Sequence, residues 1–288
     1  MPSYKAFPPS WGPLRIPLSS RRAALAGLSL YSACRPRALL AQRTAWVSVA
    51  LLGPRALTGR SAPWDPIPPA EWQALEEAWR AEFGAFDEIA GYQRTDPTRG
   101  GVAMLLLNAG RAVAFVKARR GDDASLAREV WATQAAWRAP LRSFRVAEPL
   151  GSGEVAGWTF AAFAPLPARP HQPPAHPPLH SIVAELDQVL DALPRSAATP
   201  ANWRPMHGDF TPWNLRQTDG RALYLVDWED VSWAPPGADE VLYRATAAAL
   251  NHQPAQPVHA PEAIAFWRAR IAARCGDQRD QRLRAGIL

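Results

Sequence analysis

Seven of the fourteen residues from Pro165 to Pro178 are proline. Each proline fixes φ and lacks a backbone donor, so this run can continue neither a helix nor the interior of a sheet. It cuts the chain into a part before and a part after, and the two must build their own elements. His171 and His176 lie within the run, but no carboxylate or thiol accompanies them. The tract therefore reads as a stiff connector and not as a metal-binding stretch.

The part before the connector is patterned for strands. Phe86 to Gln93 reads as a strand, Arg94 to Gly101 as a polar turn, and Val102 to Leu107 as an apolar strand. Asn108-Ala109-Gly110 supplies a hairpin turn and Ala112 to Lys117 the returning strand. Ala124 to Arg138 is helical, and Arg145 to Ala164 gives two short strands around Gly151 to Gly157. Upstream, Glu71 to Phe83 places Trp72, Leu75, Trp79 and Phe83 at helical spacing, and residues 22–57 read as one or two helices. The part after the connector is mostly helical: Leu179 to Leu193, Ala238 to Leu250 and Pro261 to Ala273. The expected layout is α+β. Residues 1–69 form a helical extension with a Pro-rich connection, 70–164 a small antiparallel β-rich lobe, and 165–288 a mostly helical lobe.

Charge sharpens that division. The chain carries 32 basic and 26 acidic residues, yet residues 1–64 hold nine of the basic ones and no acid, since Asp65 is the first carboxylate. The basicity belongs to the N-terminal segment and the body is slightly acidic, so a nucleic-acid partner is not expected. The most apolar run, Ala45 to Leu52, is too short to span a bilayer, and no signal-peptide pattern opens the chain. Cys34 and Cys275 are far apart and form no CxxC pair. A cytoplasmic protein is the expectation.

Thirty of the basic residues are arginine, and only Lys5 and Lys117 are lysine. Lys117 ends an apolar strand, where a compact ammonium on a flexible stem suits a phosphate. Glu129, on the following helix, can hold it. The densest polar segment is Met206-His207-Gly208-Asp209-Phe210-Thr211-Pro212-Trp213-Asn214-Leu215, and thirteen residues beyond Asn214 an apolar strand ends at Asp227. Asn214 and Asp227 offer two hard oxygen ligands of the kind Mg²⁺ takes, and Asp209 can orient or deprotonate a hydroxyl. Together these are the parts that phosphoryl transfer requires.

Phe115-Val116-Lys117, Arg128-Glu129, His207-Gly208-Asp209 with Asn214, and Asp227-Trp228-Glu229 resemble the aminoglycoside phosphotransferase and choline kinase superfamily, relatives of the protein kinases. The resemblance covers roughly residues 85–275. It implies a bilobal, protein-kinase-like fold with a nucleotide-binding first lobe, ATP and Mg²⁺ as cofactors, and transfer of the γ-phosphate to a small hydroxyl compound. It makes Asp209 the catalytic aspartate, Asn214 and Asp227 the metal ligands, Lys117 the phosphate-contacting lysine and Glu129 its partner. Thr159, Ala161 and Phe163 fall where the interlobe hinge binds adenine through its backbone. Gly100 and Gly101 fall at the phosphate-covering turn, and Asp239 at a structural aspartate. His207 is read as support for the loop.

Residues 262–288 hold three acids and six arginines, a poor surface for a polycationic antibiotic, so a sugar or similar neutral metabolite is favoured over an aminoglycoside. The alternative class is a nucleotide-binding pseudokinase or interaction module. It predicts loss of one of Lys117, Asp209, Asn214 or Asp227, and all four are present.

Overall fold

Two Ala-Gly turns organise the first part of the chain. In the computed structural model, which describes residues 3–9, 12, 14–31, 33–59, 61–93, 101–121, 123–218, 222–251 and 258–273, Ala109 and Gly110 have φ of 48° and 74°, and Ala156 and Gly157 have 50° and 75°. Paired positive φ values match the right-handed twist of the flanking strands, which is the requirement of a two-residue hairpin.

The elements in chain order are β1 (Tyr4–Phe7), β2 (Leu14–Pro17), α1 (Arg21–Ser29), α2 (Pro36–Leu52), β3 (Ser61–Ala62), α3 (Pro69–Phe83), β4 (Glu88–Gln93), β5 (Val102–Asn108), β6 (Arg111–Arg120), α4 (Ala124–Arg138), β7 (Pro149–Val155) and β8 (Trp158–Phe163). After them come α5 (Leu179–Val189), β9 (Arg204–Met206), β10 (Leu215–Gln217), β11 (Leu223–Leu225), β12 (Ser232–Ala234), α6 (Ala238–Asn251) and α7 (Pro261–Ala273). The chain divides into two units, Met1–Val130 with Ala147–His171, and Trp131–Val146 with Gln172–Leu288. It is α+β, with its long strands in the first unit and helices dominating the second, as the pattern predicts.

The first unit is built on an antiparallel eight-stranded sheet in the order β3-β1-β2-β4-β5-β6-β8-β7. Alternation along β6 sends Ala114, Val116 and Ala118, all fully buried, to the face covered by α3. There Leu75 and Trp79 of α3 pack with Met104, Leu106 and Phe160. On the opposite face α1 packs its alanines against β4 and β5.

The division at residue 69 is corrected by this sheet. Residues 22–57 do form two helices, but β1, β2 and β3 on either side of them extend the sheet from β4, so the N-terminal segment is part of the first unit. A side chain at Gly91 of β4 would overlap the Trp64 ring, which locks the segment after α2 against the sheet. Residues 131–146, expected within the first lobe, belong to the second unit.

The second unit has two short two-stranded sheets among its helices, the hairpin β10-β11 and the pair β12-β9. Ile182 and Leu186 of α5 pack with Phe210, Leu215, Leu225 and Trp228. A second cluster joins Met206 and Ala234 to α6 and α7, and the Trp267 indole donates to the Ala238 carbonyl at 2.7 Å. Across the proline tract no helix or strand forms. No helix among the described residues is long and apolar enough to cross a membrane.

Candidate active site

The first unit supplies a lysine and its carboxylate. Lys117 lies on β6 between Val116 and Ala118, on the face turned away from α3. Its cross-strand neighbours are Ala103 and Ala161, whose single methyl groups leave room beside the lysine stem. Helix α4 delivers Glu129, and the Lys117 ammonium donates to both its oxygens at 2.6 and 2.8 Å. Only 13% of the lysine side chain and 4% of the glutamate side chain are exposed. Charge-assisted bonds in so dry a setting hold the ammonium in one place.

The start of α4 is equally fixed. Asp123 caps it, with its Oδ1 accepting from the Ser125 N–H at 2.8 Å, while Oδ2 meets Arg119 at 2.8 Å. Burial acts to raise the Asp123 pKa, but the bonds from Ser125 and Arg119 outweigh it and bring the carboxyl down to about 2. The cap therefore stays charged, and the helix that carries Glu129 begins at a defined residue.

The second unit supplies the loop after β9. His207 is fully buried against the Trp228 ring, at 4.9 Å between centroids, and near Phe210. The N–H groups of His207 and Gly208 donate to the two oxygens of Asp239, at 2.8 and 3.1 Å, from the first turn of α6. Burial pushes the Asp239 carboxyl up to about 7, against these two bonds, which act to lower it, and with the Asp187 carboxylate adding to the rise. Gly208 has φ of 81°, and a side chain there would overlap the Asp230 carbonyl. Only glycine fits.

Asp209 is thereby presented at the loop's tip. Asn214, 4% exposed, turns back on it: its amide nitrogen donates to the Asp209 carbonyl at 2.9 Å and to the Asp209 Oδ2 at 2.8 Å. With the amide nitrogen on Asp209, the acceptor Oδ1 is the end of Asn214 that can face a cation. Hairpin β10-β11 then brings Asp227 alongside, because the Val226 N–H donates to the Asn214 carbonyl at 3.0 Å, one step beyond the Leu215–Leu225 pair. Asp227 has φ of 71° and ψ of 59°, a left-handed conformation that is uncommon for a residue with a side chain. That conformation lies just beyond the end of β11 and breaks the extended run of the chain. Buried Glu229 follows in the next turn.

The sequence expectations meet this geometry unevenly. Lys117 and Glu129 form a pair, and Asp209, Asn214 and Asp227 come together in the second unit. Thr159, Ala161 and Phe163 do not form a hinge. They sit inside β8, paired with β6 on one edge and β7 on the other, so the backbone groups needed for adenine are engaged in the ladder. Gly101 has φ of 132° and packs against Ala118 and Arg119, a close strand contact, and Gly100 lies outside the described residues. The requirement at Gly208 is invisible in the local sequence, because it depends on Asp230, twenty-two residues away.

A sequence model of the phosphotransferase enzyme family, APH, matches residues 87–255. The chain belongs to that family. Its α+β fold agrees with the membership. Among solved structures, spectinomycin phosphotransferase APH(9)-Ia in complex with ADP and spectinomycin is 9% identical, over 77% of this chain and 94% of that one, with a TM-score of 0.45. A thermostable mutant of APH(4)-Ia with ADP and hygromycin B is 12% identical over 74% and 88%, with a TM-score of 0.43. The PknI kinase domain of Mycobacterium tuberculosis is 17% identical over 72% and 96%, with a TM-score of 0.35. No curated protein sequence matches the chain.

Proposed function

We propose that this phosphotransferase moves the γ-phosphate of ATP, in the presence of Mg²⁺, to a hydroxyl of a small molecule. The observation that carries the reading is the pair of hydrogen bonds that the Asn214 amide nitrogen donates to the Asp209 carbonyl and carboxylate, with Asp227 tied alongside through the hairpin. A carboxylate and two hard oxygen ligands held in one rigid loop system fit an oxygen-seeking divalent cation. Bound there, the cation would neutralise charge on the phosphates.

Asp209 orients the acceptor hydroxyl and takes its proton as the oxygen attacks the γ-phosphorus. The new O–P bond forms while the bridging bond to the β-phosphate breaks, and ADP leaves. Asn214 keeps the Asp209 carboxylate fixed and, with Asp227, holds the metal. Lys117, positioned by Glu129, contacts the nucleotide phosphates. A sugar or other neutral hydroxyl compound is the favoured acceptor, on the arginine excess of residues 262–288.

ADP release from ATP and Mg²⁺ across a panel of sugars, amino alcohols and antibiotics tests the reading. One acceptor is expected to give turnover that Asp209→Ala abolishes while ATP still stabilises the variant thermally. Turnover of aminoglycosides alone would overturn the acceptor class. ATP binding with no transfer to any acceptor would favour a nucleotide-binding module instead.

A further inference from the structure

We propose that helix α2 docks on the surface of an anionic lipid membrane, with the outward stripe of Leu40, Val47 and Leu51 in the headgroup layer and arginines on either side of it.

Among the described residues six large apolar side chains are exposed, and four of them are on α2: Leu40, Val47, Leu51 and Leu52, at 67, 50, 70 and 76%. Single exposed leucines scattered over a surface are ordinary, but a cluster on one helix marks a contact surface. Positions 40, 47 and 51 are seven and four residues apart. At about 100° per residue they fall within about 40° of one another and form a row about 16 Å long. The opposite face of α2 carries Gln42 and Val49, both fully buried. The Gln42 amide nitrogen donates to the Leu28 and Tyr31 carbonyls at 2.9 Å, and Val49 packs with Phe7, Leu28 and Leu57. These contacts fix the rotation of the helix, so the leucines are held outward.

Charge selects the occupant. Arg43 stands about 40° beyond Val47 on one side of the stripe, and Arg37 about 40° beyond Leu51 on the other. Arg35 precedes the first turn of α2 and Arg55 lies in the turn after it. All four arginines are exposed, and Arg35, Arg37 and Arg55 have no hydrogen bond or ion pair among the described residues. No carboxylate precedes Asp65 in the chain. Anionic headgroups above an acyl layer answer both halves of this pattern, the cations and the aliphatic row between them. A nucleic acid would meet the arginines and leave the leucines in water. A second copy docked by the same face would set these arginines against their own counterparts. The stripe also lacks the aromatic anchors that dominate contacts between proteins. Helix α2 has seventeen residues, and no helix among the described residues is long and apolar enough to cross a membrane, so it lies on the surface.

Flotation of the full chain with vesicles of about one part phosphatidylserine to three of phosphatidylcholine, and with phosphatidylcholine alone, tests the docking. The wild type is expected to bind the mixed vesicles, to bind the neutral ones far more weakly, and to be released as salt rises. Leu40→Gln combined with Leu51→Gln should weaken binding to the mixed vesicles by at least about tenfold. Arg37→Gln combined with Arg55→Gln should weaken it by about thirtyfold. All four positions are exposed, so both double variants should keep the thermal midpoint of the wild type, which separates lost docking from lost folding. A wild type that ignores the mixed vesicles, or equal binding to the neutral ones, would overturn the docking. So would undiminished binding by either double variant. A dimer that forms in solution and is abolished by the leucine changes would overturn it as well, and would make the stripe a contact between copies.

Discussion

Replacing Asp239 by asparagine tests how the loop that presents Asp209 is held. The carboxyl has a folded pKa of about 7 against an ordinary value of 3.8, with burial as the largest cause. A folded pKa above the unfolded one means that the proton is bound more tightly in the native state. The carboxyl's contribution is then fully present below about pH 4 and is lost as the pH rises through about 7. Inside that window the loss is about 1.4 kcal/mol per pH unit, so two units amount to about 3 kcal/mol. The carboxamide of Asp239→Asn cannot titrate, so the variant lacks this dependence. Urea unfolding of both proteins, followed by tryptophan fluorescence at about pH 4.5 and about pH 6.5, gives the difference directly. The stability of the wild type relative to Asp239→Asn should fall by about 3 kcal/mol between the two conditions. A difference that stays constant or grows with pH would refute the reasoning, and would mean that the two N–H bonds keep the carboxylate ionised despite its burial.

Gly208→Ala should cost more than about 3 kcal/mol in denaturant unfolding, because a left-handed φ and an overlap with the Asp230 carbonyl both oppose the methyl group. Glu129→Gln replaces a buried carboxylate that accepts two bonds from Lys117, and should lower stability by about 2 kcal/mol and phosphoryl transfer by roughly a hundredfold, measured as ADP release. Gly91→Ala should lower the thermal midpoint by forcing the Trp64 ring off the sheet, a change visible in tryptophan fluorescence.

The elements that the sequence made legible are those with local signals. Strands β5 and β6 carry apolar alternation and a two-residue turn, α5 carries a continuous apolar face, and the loop residues Asp209 and Asn214 sit in a dense polar motif. What stayed hidden depends on partners distant in the chain. Strands β1 and β2 have four residues each, and β3 two, so none holds enough alternation to announce itself, and the pairing of β2 with β4 joins Leu14 to Tyr92, nearly eighty residues on. Alanine-rich α1 reads as a helix, but nothing in its own composition says which face of the sheet it will cover. Thr159 to Phe163 separates what the residues say from what the resemblance implies. Its residues read as a strand and form one, with Trp158 and Phe160 buried and partners on both edges, whereas the family resemblance places them at the interlobe hinge.

The pairing of β10 with β11 changes what the interval between Asn214 and Asp227 means. The two residues are neighbours because the ladder and the Val226–Asn214 bond hold them at its base. At the far end the Thr218 N–H donates to the Ala222 carbonyl at 3.0 Å and closes the hairpin. The thirteen-residue interval is thus a by-product of hairpin length, and registry is what sets the site. Extra residues inserted between Thr218 and Ala222 would lengthen the tip and leave its base alone, which makes that tip the natural place for a reporter group or an affinity handle close to the chemistry.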